Sequence, residues 1–234
     1  MSEFFEGGQL RRGAMFPDNP DYIRNHLAFW LDGKIGNYPD KWVDLISGTV
    51  FENHGSTYIG NGRHFDGVDD YMSGVINDIA AKAGSSTIEV VIKTDEDVTT
   101  KYGLIYFPGF TDNICMGWGA QTNLSVTTVS TCYAPAKANF VTGRRTVLSH
   151  YGNGGRSAVN GLSVNAKSGY TRAYSVNPTK LSVNGTTYIG GSPNNTTLCF
   201  HGDIYAIRVY KANVSLASMQ HNHAIDMERF AINV

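Results

Sequence analysis

The sequence predicts an all-β fold, an antiparallel two-sheet jelly-roll sandwich, and three observations carry that expectation. Short runs of alternating apolar and polar residues recur along the chain, clusters of Gly, Asn, Ser and Pro separate them, and almost no helical periodicity lies between. A parallel βαβ fold is excluded for want of crossover helices. At 234 residues the chain is long enough to bury about 70% of its extended-chain surface as one unit. The high content of Gly (26), Tyr (13) and Phe (11) fits strands joined by tight turns.

Residues 1 to about 25 show neither period 2 nor period 3.6 and are punctuated by Gly and Pro, as in "EGGQLRRGAMFPDNPD". They read as an N-terminal arm preceding a domain over 26–234. Phe4, Phe5, Leu10, Met15 and Phe16 make the arm too apolar for an inert linker. Those residues are expected to bury against a neighbouring subunit, with Arg11 and Arg12 pairing acidic groups there; the alternative is that the arm folds back onto its own sandwich and covers a sheet edge.

From His26 onward the strands begin. In "LAFWL", Leu27, Phe29 and Leu31 share a face, and in "STIEVVIK", Ile88, Val90 and Ile92 oppose Glu89 and Lys93. "YGLIYF", "ICMGW", "RRTVLSHY" and "DIYAIRVY" read as further strands, and "GNGR", "GNGGRSAVNG" and "VNGTTYIGGSPNN" as turns. A short helix is expected at "VINDIAAKAG", ended by Gly84. A second is expected after a Ser215 cap, with Leu216, Met219, His223, Met227 and Phe230 forming its buried stripe at offsets of 3, 7, 11 and 14.

The formal charge of −1, from 19 basic and 20 acidic residues, leaves no field to hold a polyanion, so nucleic acid is not an expected partner. No apolar run approaches the ~20 residues of a membrane span, so no membrane insertion is expected. The opening "MSEFFEGGQLRRG" has acidic residues where an export signal carries lysines, and no apolar stretch follows, so export by the general pathway is not expected. Cys115, Cys132 and Cys199 are odd in number and widely spaced, which suits buried thiols better than disulfides or a zinc site.

"HFDGVDDYMSG" packs Asp66, Asp69 and Asp70 around Gly67 between two aromatic residues. Two readings stand. In one, Gly67 frees the backbone of a hairpin turn while Asp66 and Asp69 bond to nearby amides. In the other, the carboxylates and loop carbonyls supply the hard oxygen donors of a calcium site, though not in the order of an EF-hand loop. Catalysis is not expected. A glycosidase needs two carboxyl groups facing each other across the sugar, and the nearest acidic run, Asp95, Glu96 and Asp97 in "KTDEDVTT", sits at a strand end as a solvated turn. The histidines (His26, His54, His64, His150, His201, His221 and His223) are scattered without partners at ligand spacing and read as surface or packing residues.

"RHFDGVDDYMS" resembles the F-D-G-x-D-D-Y segment of the concanavalin A-like, laminin-G-type jelly rolls. "FHGDIYAIRVYKANVSLASMQ" resembles their closing strand and capped helix, keeping Phe200, Gly202, Ile204, Arg208, Val209, Tyr210 and Ser215. Tyr205 and Ala206 stand where that family has Asp and Glu, which takes one acidic donor from the calcium reading. The resemblance spans about residues 27 to 230, with "SAVNG" matching the family's Y-V-N-G turn. It implies the sandwich but no single function, because the fold serves lectins, glucanases, adhesion modules and virion proteins alike.

For a lectin-like module, exposed aromatics would stack on a sugar, and Trp118, Tyr133, Tyr151 and Tyr170 are the candidates. Without an export signal, the leading expectation is a non-enzymatic bacteriophage virion protein on a capsid or tail. It would be assembled in host cytoplasm, contacting other virion subunits or copies of itself and a cell-surface glycan. The alternative is a carbohydrate-binding or adhesion module of an extracellular or cell-surface protein.

Overall fold

The computed structural model describes residues 20–80, 87–95, 102–106, 114–118, 124–125, 145–151, 156–159, 162–164, 182–193, 199–212 and 214–231. Its first strands are β1 (Leu27–Asp32), β2 (Asn37–Tyr38), β3 (Lys41–Val43), β4 (Val50–His54), β5 (Thr57–Tyr58) and β6 (Arg63–Asp66). Then come β7 (Tyr71–Ala80), β8 (Thr87–Thr94), β9 (Tyr102–Tyr106), β10 (Ile114–Trp118) and β11 (Leu124–Ser125). The series closes with β12 (Arg145–Tyr151), β13 (Arg156–Val159), β14 (Leu162–Val164), β15 (Ser182–Ile189), β16 (His201–Tyr210) and the helix α1 (Leu216–Phe230).

Among the described residues these strands form two antiparallel sheets of eight. Sheet A runs β14-β13-β12-β8-β16-β6-β5, with β1 also paired to β16, and sheet B runs β11-β10-β9-β15-β7-β4-β3-β2. The sheets face each other across one apolar layer. Phe29, Leu31, Phe65, Ile88, Val90, Ile92, Ile204, Ile207 and Val209 of sheet A meet Trp42, Phe51, Met72, Ile76, Ile79, Ile105 and Ile189 of sheet B. Alternation places these side chains inward, and burying each large apolar one contributes roughly 1.5–3 kcal/mol. The predicted two-sheet sandwich is the observed fold.

Sheet A is covered on its other face too. Ser215 Oγ accepts a bond from the Ser218 amide at 3.1 Å, the predicted cap, and α1 then lies across β8 and β16. One extra residue in β16 fits the strand to both layers: from Ile204 to Ala206 the strand advances two residues while β8 advances one, from Ile92 to Val91. Tyr205 and Ala206 therefore both face the helix, packing with Val91 and Phe230, and Ile207 returns to the core.

The helix turns a partly polar stripe inward. Its buried residues are Met219, Asn222, His223, Asp226 and Phe230, whereas Met227, expected on the stripe, is 37% exposed. The reason lies in the sheet beneath, where Glu89 and Arg208 are fully buried rather than solvated. Arg208 Nη1 donates to Asp226 Oδ1 at 2.9 Å, Arg208 Nε to Glu89 Oε2 at 3.0 Å, and Asn222 Nδ2 to Glu89 Oε2 at 2.8 Å. A helix presenting only apolar groups would bury the Glu89–Arg208 pair with the guanidinium's remaining N–H donors unsatisfied, because it is Asp226 that accepts from Nη1 and Nη2.

Two further expectations are corrected. "VINDIA" is strand, the end of β7, and not helix. Between Ile76 and Ile79 the strand advances three residues while β15 advances two, from Gly185 to Val183, so both isoleucines point inward at a spacing that mimics a helix. Leu27 does not share the face of Phe29, because β1 is likewise irregular between them, and Leu27 packs beside Tyr22 and Trp30 instead.

Residues 20–25 pack on this same layer. The Tyr22 hydroxyl donates to Asp226 Oδ1 at 2.5 Å, its ring lies under the Arg208 guanidinium at 4.2 Å, and Ile23 N donates to Asn222 Oδ1 at 3.0 Å. The rest of the arm, with Phe4, Phe5, Leu10, Arg11, Arg12 and Phe16, lies outside the described residues. No helix of the described residues is long and apolar enough to cross a membrane.

Candidate functional site

The acidic stretch is a corner between sheets and not a hairpin, since β6 belongs to sheet A and β7 to sheet B. Gly67 takes φ +79, and a Cβ there would meet His201 Cβ at 2.8 Å, so both the turn and the close approach require glycine. Asp66 Oδ1 accepts from the Val68 amide at 2.8 Å and Asp70 Oδ2 from the Asp66 amide at 2.9 Å. Asp70, buried, does the closing work expected of Asp69, which is exposed.

One carboxylate oxygen from each of Asp66, Asp69 and Asp70 lies within 4.8 Å of the others. Burial, with the Asp66 and Asp69 charges behind it, holds the Asp70 carboxyl above its ordinary range. Three converging carboxylates of this kind are a donor set that a hard cation would relieve.

The corner feeds directly into an aromatic cluster on the outer face of sheet B. Tyr71 stands opposite His54 in the ladder, and their rings stack at 4.3 Å with planes 14° apart. His54 Nε2 also bonds Ser73 Oγ at 2.9 Å, and Tyr188 meets Tyr71 edge-on at 5.8 Å. Alternation sets Glu52, Val75, Thr186 and Asn184 around them on the same face, all exposed. The result is a half-exposed aromatic platform edged by carboxylate, amide and hydroxyl groups.

Of the aromatics singled out in the sequence, Trp118 ends β10 in sheet B and Tyr151 ends β12 in sheet A, so the fold puts them on different sheets. Tyr133 and Tyr170 lie outside the described residues, as do Glu96 and Asp97. His54, Tyr71 and Tyr188 escaped sequence reasoning because they lie on three separate segments, although period 2 in "ENH" and "YMS" already set His54 and Tyr71 on outward faces. The histidine reading is corrected on sheet A: His64 Nδ1 lies 2.9 Å from Asp203 Oδ1 and 3.6 Å from Asp95 Oδ2. Cys199 is a buried free thiol, as expected, and burial raises its pKa.

No protein-family model matches the chain. No curated protein matches it either. Solved structures do. A Trypanosoma rangeli sialidase in complex with sialic acid matches with TM-score 0.61 at 12% identity, over 87% of this chain and 33% of that one. The receptor binding domain of botulinum neurotoxin D matches with TM-score 0.56 at 13% identity, over 85% of this chain and 52% of that one. Domain 4 of an extracellular arabinanase from Geobacillus stearothermophilus, in complex with arabinotriose, gives TM-score 0.47 at 13% identity, over 74% of this chain and 80% of that one.

The chain thus spans 33% of the sialidase length, and the likeness shows the fold alone. The sialidase and the toxin domain support a β-sandwich at a coarser level than the laminin-G-type resemblance, which rests on the sequence motifs. They also correct the expectation that catalysis is absent. Several of the matching chains are sialidases, so a missing pair of glucanase carboxylates is no ground for excluding an enzyme. At this identity and coverage they assign the chain no activity.

Proposed function

We propose that this chain is a carbohydrate-recognising sandwich domain that holds a glycan on the outer face of sheet B, beside the acidic corner. The observation that carries the reading is the His54, Tyr71 and Tyr188 cluster with Glu52, Thr186 and Asn184 at its border. The apolar C–H face of a sugar ring packs on an aromatic ring, and carboxylate and amide side chains bond its hydroxyls. The fold it shares with a sialidase and with a toxin's receptor-binding domain is compatible with that role.

Calcium belongs to the proposal: Asp66, Asp69 and Asp70 would hold it and so stiffen the corner from which Tyr71 projects. The finer reading we propose is display on a bacteriophage particle, among other virion subunits or copies of this chain, facing a host-surface glycan. The buried, unpaired Cys199 suits assembly in a reducing cytoplasm.

A glycan array probed with the purified chain tests the main reading, with and without chelator. Saturable binding to a defined glycan class, weakened by chelator and restored by calcium, is the expected result. Absence of binding to any glycan, with the chain folded by circular dichroism, overturns it. Mass spectrometry of purified particles tests the finer reading, which fails if the chain is missing from them.

A further inference from the structure

We propose that sheet A carries a separate site for a divalent transition metal of the zinc type, built from His64, His201 and Asp95 and backed by Asp203. The strand register assembles it. His64 on β6 stands opposite Asp203 on β16, and Asp203 stands opposite Lys93 on β8. His201 is two residues before Asp203 and Asp95 two after Lys93, so period 2 sets all five side chains on the same outward face. Asp95 N donates to His201 O at 3.3 Å, which holds those two residues side by side at the end of the sheet.

The donor chemistry selects the ion. A ligand atom from each of His64, His201 and Asp95 lies within 4.8 Å of the other two. Two imidazoles and one carboxylate suit zinc, cobalt or nickel, whereas the all-oxygen set at the corner suits calcium. Asp203 Oδ1 lies 2.9 Å from His64 Nδ1, and in the tautomer that donates Nδ1–H to that carboxylate the nitrogen left to ligate a metal is Nε2. The Tyr205 hydroxyl in turn donates to Asp203 Oδ2 at 2.8 Å. A carboxylate fixed behind an imidazole in this way is the support that metal-binding histidines commonly have. Tyr205 thus acquires a role at a position where the resembling family carries an acid.

The cluster already gathers a cation. Lys93 Nζ lies 3.2 Å from Asp95 Oδ1 and 3.6 Å from Asp203 Oδ2. Its side chain is one-third exposed on a flexible stem, so it can withdraw to water as a divalent ion takes over Asp95. The three ligands are distinct from the corner carboxylates, although Asp66 stands opposite His201 in the ladder, so Asp69→Asn tells whether this site holds metal apart from the corner.

The test is calorimetric titration of the chelator-treated full chain with zinc chloride, with cobalt absorption as an independent readout. One saturable site per chain is expected, with visible cobalt bands of low coordination number. His201→Gln and His64→Gln are each expected to weaken zinc at least tenfold, and Asp203→Asn by about tenfold. Lys93→Met is expected to tighten binding by removing the competing cation, and Asp69→Asn to leave it unchanged. Circular dichroism checks that each variant folds. The proposal is overturned if the wild type shows no saturable zinc site, if zinc binding survives the His64→Gln, His201→Gln double variant, or if Asp69→Asn abolishes it.

Discussion

Arg208 is enclosed between two carboxylates, Glu89 and Asp226, with all three side chains buried. One guanidinium facing two acids leaves a formal negative charge in the interface between sheet and helix, and Glu89 Oε1 has no bonding partner there. Burial, opposed by Arg208, raises the Glu89 pKa. The folded chain therefore holds that proton at pH values where the unfolded chain has lost it. Its contribution to stability is complete below the ordinary glutamic acid range, about pH 4.3, and is lost as pH rises through the folded pKa. Glu89→Gln is expected to flatten that decline in melting temperature as pH rises above the ordinary glutamic acid range. Parallel wild-type and variant profiles would contradict it. Arg208→Met, by leaving both acids unpaired, should cost about 3–5 kcal/mol in denaturant unfolding.

At the corner, Asp70→Ala should cost about 1–3 kcal/mol by orphaning the Asp66 amide, while Asp69→Asn in calcium-free buffer should cost next to nothing. The turn was legible in Gly67 and Asp66. The exchange of Asp69 for Asp70 was not, because which carboxylate turns inward depends on Gly55, whose missing Cβ leaves room for Asp70 Oδ1.

At the scale of elements, α1 shows how far a sequence pattern reaches. Its start at Ser215 was readable, because a serine ahead of an uninterrupted helical run satisfies an otherwise orphaned amide. Ser215→Ala is expected to cost about 1 kcal/mol, measurable by urea unfolding, and an unchanged midpoint would contradict the capping role. On the inward face Met219, His223 and Phe230 were legible, but Asn222 and Asp226 were not, since apolar periodicity alone cannot know that the sheet beneath offers Arg208 and Glu89. Period 3 in β7 misled for the opposite reason: a bulge set Ile76 and Ile79 on one face of a strand. The strands β8 and β16 were legible from their alternating core residues, Ile88, Val90 and Ile92 among them, but not their burial on both faces or the extra residue in β16, which depend on the helix above.

On the scale of the whole molecule, the sandwich was legible because many short amphipathic strands with frequent turns bury their apolar faces most economically in two packed sheets. The site was less so. It draws His54, Tyr71 and Tyr188 from three strands that only sheet B's register makes neighbours, while the candidates Trp118 and Tyr151 end up on different sheets. With α1 lying on sheet A, the outer face of sheet B is the one we propose for sugar recognition. The most direct test is titration calorimetry of the strongest array glycan against the wild type, Tyr188→Ala and Tyr71→Ala, each checked for an intact sandwich by circular dichroism. A drop in affinity of about tenfold or more in both variants, with the fold retained, is the predicted result. Undiminished affinity in both folded variants would contradict it.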